Sequence, residues 1–573
     1  MGLYLLDYGA GNVQSLANSL IKLGHKFTWI TQPSDFAKAT SLVFPGVGAF
    51  ETAVQHLTDR GLLEPLRDYI NSGRPYFGIC IGMQILFESS DESPSRGLGT
   101  IPCHISRFDD SDKSVPHMGW NSADLLSTKT SSNISGQDSE GIEEPSYYYF
   151  VHSYCARYDL EKHPKAMEWA YTTAQYGDEV FVSSVRKNNV FGTQFHPEKS
   201  GIVGLKLIDE WLSKPESAHT HAPSSIPTAI TPRPEHRLTK RIVACMDVRA
   251  NDDGDLVVTK GDQYDVREKS SSIPSSPGTP SLKAKTAGAV RNLGKPVALA
   301  SKYYAAGADE LCLLNITSFR HSPLQDQPML AVVRAAAQEI FVPLTIGGGI
   351  KDTVDPDGTP RPALEVASAY FRAGADKVSI GSEAVYAVEK LRATGEKGKG
   401  AIETIAHVYG KQAVVISIDP RRVYVDPEMY DGPYKQELVH GKSDGPDKER
   451  EKAWWYQCTV SGGRENRQLS VVELAKGAEE LGAGEILVNS IDRDGTGLGF
   501  DLELINLVRR SVKIPVVASS GAGSVGHFVD VFRETGVEAA LAAGIFHREE
   551  VRIQEVKDAL TAAGINARIV PQA

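Results

Sequence analysis

Cys80 stands between two glycines in Gly78-Ile79-Cys80-Ile81-Gly82, where an apolar, strand-like run meets a helical pattern. This is the arrangement of a nucleophile elbow: the glycines permit a sharp turn, and a following helix N-terminus favours the thiolate. A lone cysteine after a strand is more often a buried packing residue; the paired glycines tip the reading towards chemistry. Downstream, Gln194-Phe195-His196-Pro197-Glu198 supplies the matching groups. His196 can activate a Cys80 thiol as base and protonate a departing ammonia as acid, with Glu198 orienting the imidazole. Taken alone, His196 would read as a satisfied structural histidine. Gly46, Val47 and Gly48 end another strand-like run and could turn backbone N–H groups towards a tetrahedral oxyanion, although such a turn is also a plain connection.

A second constellation lies in the C-terminal two thirds. Eight apolar runs, beginning near residues 241, 310, 342, 377, 413, 485, 515 and 539, alternate with helical patterns. That alternation predicts a closed (β/α)8 barrel, whose active site lies at the C-terminal ends of the strands. Asp247 and Asp419 end the first and fifth runs, so they face each other across the mouth. Such a pair suits acid–base work, whereas one strand-ending Asp could equally be a helix cap. Glycine turns around Gly348, Gly349, Gly521 and Gly523, with Gly381, Ser382, Ala543 and Gly544 on the neighbouring strands, offer backbone N–H groups at helix starts. Two such cradles on opposite sides predict a substrate with a phosphate at each end. Runs one and five, three and seven, and four and eight share their endings, which reads as a duplicated half-barrel.

The elements that carry these residues divide the chain into an α/β domain over residues 1–213, a Pro/Ser/Thr/His-rich linker over 214–240, and the barrel over 241–573. Alternating strands and helices predict a parallel sheet in the first domain, including a helix to residue 70 and another over 83–90. Polar stretches at 268–286, 352–362, 393–400 and 427–451 read as insertions between barrel elements. A net charge of -11 disfavours nucleic acid as a partner, and no apolar run is long enough to span a membrane. The start of the chain lacks a signal-peptide pattern. Six scattered cysteines without CxxC spacing predict reduced thiols and a cytoplasmic protein. No metal or cofactor is expected.

FPGVGAF, GICIGMQ, PHMGWN, YYYFVHSY and FGTQFHPEKS together resemble the class I, or triad, glutamine amidotransferases, most closely the glutaminase part of the imidazole glycerol phosphate synthase family. RIVACMDV, ADELCLLNITS, GADKVSIGS, GAGEILVNSIDRDGTGLGFD, ASSGAG and AALAAGIFH resemble the cyclase part of the same family. The resemblance implies a bifunctional chain of histidine biosynthesis. Its partners would be glutamine and a bisphosphorylated ribulosyl-aminoimidazole carboxamide ribotide, and the chain is expected to work as a monomer because both activities lie on it. A thioester at Cys80, with His196 and Glu198 completing the triad, and Asp247 with Asp419 as acid–base pair, follow from it. It adds Lys260, Thr459, Ser461, Asp492 and Asp494 as substrate-lining candidates, and an interdomain pair between Lys199 and Asp376. Asn315 departs from the Asp of several relatives, and the segment 265–288 enlarges the loop after strand one. Rival readings are a pyridoxal phosphate synthase-like enzyme, which needs a strand-ending lysine not found here, and a non-catalytic barrel scaffold.

Charges also mark the starts of four barrel strands: Arg241, Glu310, Lys377 and Glu485. Arg241 has the parity of Asp247, and Glu485 that of Asn489, so both are expected to point inward. Two positive and two negative groups inside a barrel can close a ring, as an ammonia gate or as a structural plug in the floor.

Overall fold

The computed structural model describes residues 2–9, 11–46, 48–126, 140–219, 228–234, 237–250, 256–259, 295–316, 324–442 and 449–570. Val47, Lys260 and the segment 265–288 lie outside them.

In the N-terminal domain, Gly2–Leu6, Ala39–Phe44, Tyr76–Ile79 and Val190–Thr193 run parallel, each hydrogen-bonded to the next. Phe27–Ile30 extends one side in parallel, and Glu179–Lys187 and Ala170–Tyr176 extend the other antiparallel. The consequence for chemistry is direct. Three neighbouring parallel strands end at the same sheet edge, so the Gly46–Gly48 turn, Cys80 and the His196 segment converge although they are far apart in sequence.

Two helical expectations change here. The helix to residue 70 is two helices, Phe50–Asp59 and Leu63–Asn71, broken at Gly61, whose φ of +65° is the left-handed conformation that glycine adopts without cost. After the elbow there is one turn, Ile81–Gln84, and then a strand, Phe87–Ser90, paired in parallel with Ile101–Arg107. Ladder formation with Ser93–Arg96 and Ile101–Arg107 overrides the short apolar pattern of residues 83–90.

The barrel strands are β1 (Arg241–Ala250), β2 (Glu310–Asn315), β3 (Leu344–Gly347), β4 (Lys377–Ile380), β5 (Val414–Ile418), β6 (Glu485–Asn489), β7 (Val516–Ser519) and β8 (Ala539–Ala542). They pair in this order, and β1 pairs with β8 to close the barrel. Inward positions of alternating parity, among them Val243, Cys245, Cys312, Val415, Leu487 and Val517, form a separate interior cluster. The long connection after β5 folds into an antiparallel sheet of Pro420–Val425, Val439–His440, Ala453–Val460 and Glu465–Ser470. Part of the expected insertion at 427–451 thus supplies a strand. That at 352–362 is a small hairpin, Thr353–Val354 with Pro360–Arg361, tied by Arg361 Nε to Asp355 at 2.7 Å.

The N-terminal domain sits against the barrel face where the strands begin. Asn18 Nδ2 donates to the Ala337 carbonyl oxygen (2.9 Å), and the Gly201 amide donates to that of Phe341 (2.8 Å). Three residues with acidic side chains, each one residue before a strand, also meet the other domain. Asp309, before β2, presents its carbonyl oxygen to Trp120 Nε1 (3.1 Å), and Arg568 stacks on the Trp120 ring at 3.9 Å. Asp376, before β4, pairs with Lys199 at 2.7 Å and accepts from Asn12 Nδ2 at 2.9 Å. Glu538, before β8, accepts from Ser114 Oγ at 2.8 Å. Each carboxylate also accepts a backbone N–H from a neighbouring strand, that of Ile242, Leu344 or Val516. These bonds fix the acids before the other domain arrives, so little side-chain freedom is lost on docking. Within the described part of 214–240, Arg233 exchanges two hydrogen bonds with Gln175 (2.8 and 2.9 Å) and pairs with Asp124, which ties residues 228–234 to the N-terminal domain.

Candidate active site

Cys80 occupies the turn between Tyr76–Ile79 and Ile81–Gln84 with φ 49° and ψ −101°, a conformation that costs a non-glycine residue of the order of 1–3 kcal/mol. The surrounding backbone imposes it. A Cβ on Gly78 would lie 2.2 Å from the Gly82 carbonyl oxygen, and one on Gly82 would lie 2.4 Å from that of Phe44. Both flanking glycines are therefore demanded by close approach, as is Gly46, whose added Cβ would meet the Ile79 oxygen at 2.0 Å.

His196 Nδ1 is 2.8 Å from Glu198 Oε1, and both side chains are buried. Burial disfavours the imidazolium, but the Glu198 carboxylate and then the Cys80 sulfur outweigh it and raise the His196 pKa to about 10. The site is thus arranged to hold a positive imidazole beside the Cys80 sulfur at neutral pH. Gly46, Gly48, Cys80, His196 and Lys199 line one small cavity, and its far wall is barrel floor: Asp376, Lys377 and Gln412.

On the barrel side of that cavity the four strand-start charges close into a ring. Arg241 bonds Glu310 at 2.6 Å and also pairs with Glu485; Lys377 reaches Glu310 at 2.7 Å and Glu485 at 2.6 Å. All four are almost wholly buried. Thr345 Oγ1 adds a donor to Glu310 at 2.6 Å. Burial alone would raise the Glu310 pKa, but Lys377 and then Arg241 hold it below the ordinary carboxylate value. The charges therefore persist because each carboxylate has two cationic partners.

At the opposite end of the barrel, Asp247 lines a cavity of about 350 Å³ with Asp494, Gly521, Gly523, Ala543 and Gly544. Gly521 has φ 96°, and an added Cβ there would lie 2.2 Å from the Gly499 oxygen. Across the mouth, Gly348 and Gly349 take φ of 91° and 78°. Gly381 caps the helix Ser382–Thr394, and Ser382 Oγ accepts the Ser461 amide at 2.9 Å. Thr459 Oγ1 donates to the Asp419 carbonyl at 2.6 Å. Asp492 instead accepts the Arg422 amide at 2.9 Å, which ties the loop after β6 to the sheet after β5. Asn489, noted in the sequence only for its parity, donates through Nδ2 to Asp419 Oδ1 at 2.9 Å. Burial raises the Asp419 pKa, the Asn489 amide opposes it, and the Asp494 charge adds to the rise.

An α/β domain whose cysteine elbow opens onto the floor of a (β/α)8 barrel defines an amidotransferase coupled to a barrel domain. The glutamine amidotransferase class-I family matches residues 4–208, and the histidine biosynthesis protein family matches residues 241–552. Imidazole glycerol phosphate synthase hisHF of Emericella nidulans is 51% identical over 99% of this chain and 98% of its own length; that of Schizosaccharomyces pombe is 50% identical over 97% and 98%. The Arabidopsis thaliana relative, 50% identical over 99% of this chain and 89% of its own, carries the description chloroplastic. The chain belongs to the imidazole glycerol phosphate synthase family, enzymes of histidine biosynthesis that join a glutamine amidotransferase to a cyclase barrel. Among the described residues no helix is long and apolar enough to cross a membrane.

Proposed function

We propose that residues 1–213 hydrolyse glutamine, that 214–240 link the domains, and that 241–573 consume the ammonia. Cys80 Sγ attacks the glutamine amide carbon, His196 protonates the departing ammonia, and Gly46 with its neighbours in the turn faces the oxyanion. Water, deprotonated by His196, then releases glutamate from the thioester. Ammonia enters the barrel through the ring of Arg241, Glu310, Lys377 and Glu485 and meets the bisphosphorylated ribulosyl-aminoimidazole carboxamide ribotide. One phosphate lies against Gly521, Gly523, Ala543 and Gly544, and the other against Gly348, Gly349, Gly381 and Ser382. Asp419, with its raised pKa, is the proton-donating member of the pair and Asp247 the accepting one; the products are imidazole glycerol phosphate and aminoimidazole carboxamide ribotide. The chain acts as a monomer in the cytoplasm, where its thiols stay reduced.

The observation that carries this reading is the cavity shared by Cys80, His196 and Lys377: the ammonia-forming site adjoins the ring, with no intervening solvent path needed. Lys377→Ala tests it. Glutamine hydrolysis is expected to continue while product formation falls behind, with free ammonia accumulating; turnover on added ammonium, which enters from the mouth, is expected to survive. Coupling that stays one to one would make the ring a structural floor only.

A further inference from the structure

Gln194 lies two residues before His196, has no exposed surface, and takes part in none of the steps above. Its Nε2 is 3.4 Å from Cys80 Sγ, as a donor. The direction of that amide is fixed by its surroundings. Gln84 Nε2 donates to the Tyr154 carbonyl oxygen at 3.2 Å and to Gln194 Oε1 at 3.0 Å. A carbonyl oxygen can only accept, so Gln84 must turn its NH2 group to Tyr154 and Gln194; Gln194 must then turn its oxygen to Gln84 and its N–H to the sulfur. The backbone is pinned as well, since the Gln194 N–H donates to Ser183 at 2.8 Å.

We infer that Gln194 is a positioning residue that holds the Cys80 sulfur in its anionic form through this N–H, with Gln84 setting the direction of the bond. The inference rests on Cys80 being the nucleophile. No proton leaves Gln194 at any stage. While the sulfur–carbon bond of the thioester exists the sulfur is neutral and the contact is weak. When water attacks and that bond breaks, the sulfur departs as an anion, and the N–H accepts the returning charge. Loss of the donor should therefore reduce turnover more than glutamine binding.

The test uses the full chain with Gln194→Leu and the nearly isosteric Gln194→Glu. Alkylation of Cys80 by iodoacetamide is followed against pH by mass spectrometry of the peptide that carries it. In both variants the midpoint is expected about one pH unit higher than in the parent, a tenfold change in thiolate fraction and the size expected of one charge-assisted hydrogen bond. The kcat for glutamine should fall roughly tenfold at nearly unchanged KM, and turnover on ammonium should match the parent. A midpoint at the parent's pH in either folded variant overturns the inference, whatever the turnover. If Gln194→Leu does not fold, Gln194→Met, which keeps the volume and removes the donor, decides alone by the same criterion, since a rise in Gln194→Glu would follow from charge repulsion in any case. Failure of the underlying reading is seen separately, as glutamine-dependent turnover that survives in Cys80→Ala.

Discussion

Cys80→Ala is expected to lower glutamine-dependent synthesis by about four orders of magnitude or more, the loss typical when a covalent nucleophile is removed from a unit that acts together. Synthesis from ammonium should continue at the parental rate. The asymmetry follows from placement. Cys80 lies on the sheet edge that faces the strand-start side of the barrel, and Asp247 and Asp419 end β1 and β5 at the other side. Alanine in the elbow removes Sγ without disturbing the close backbone approach of Gly78 and Gly82. Steady-state rates with each nitrogen source provide the check, and equal loss of both would break the division of labour.

Asp419→Asn is expected to lower cyclisation by about two to four orders of magnitude with either nitrogen source, as for loss of a general acid. Burial raises the Asp419 pKa, so the carboxyl keeps its proton to higher pH than an exposed one. The asparagine variant retains the size and the contact with Asn489 but cannot give up a proton. Asp247→Asn should fall in the same range through loss of the base. Glutamine hydrolysis need not fall with it, since that chemistry lies at the other end of the barrel. Near-parental cyclisation with ammonium would remove the role from whichever residue was changed.

Both constellations could be read from sequence because their residues stand at strand ends, where parity and glycine turns are local signals. Asp247 and Asp419 need only the barrel repeat to be placed opposite each other. The ring needed more: the inward parity of Arg241 and Glu485 was readable, but the two partners of each carboxylate appear only once four strands are side by side. What the sequence hid is non-local. Nothing near residue 190 tells that Val190–Thr193 will lie beside Tyr76–Ile79, yet that pairing brings His196 and Gln194 to Cys80. The helix expected over residues 83–90 failed for a nearer reason, since ladders with Ser93–Arg96 and Ile101–Arg107 make Phe87–Ser90 a strand. Asn489 shows its role only when the side chain of Asp419 is in view, and the interface acids Asp309 and Glu538 only when the neighbouring strand's N–H groups are, whereas Asp376 is already implied as the partner of Lys199 by the family resemblance.

The central claim is that ammonia passes from Cys80 to the aspartate pair inside the molecule. Isotope dilution tests it most directly: the parent enzyme turns over amide-15N glutamine with the bisphosphate substrate in a pool of unlabelled ammonium, at a pH where little of that pool is neutral ammonia. The account predicts imidazole glycerol phosphate whose new ring nitrogen carries the 15N essentially undiluted, however large the pool. Label that falls in proportion to the added ammonium would mean that the ammonia equilibrates with solvent before it reacts, and would contradict passage through the ring.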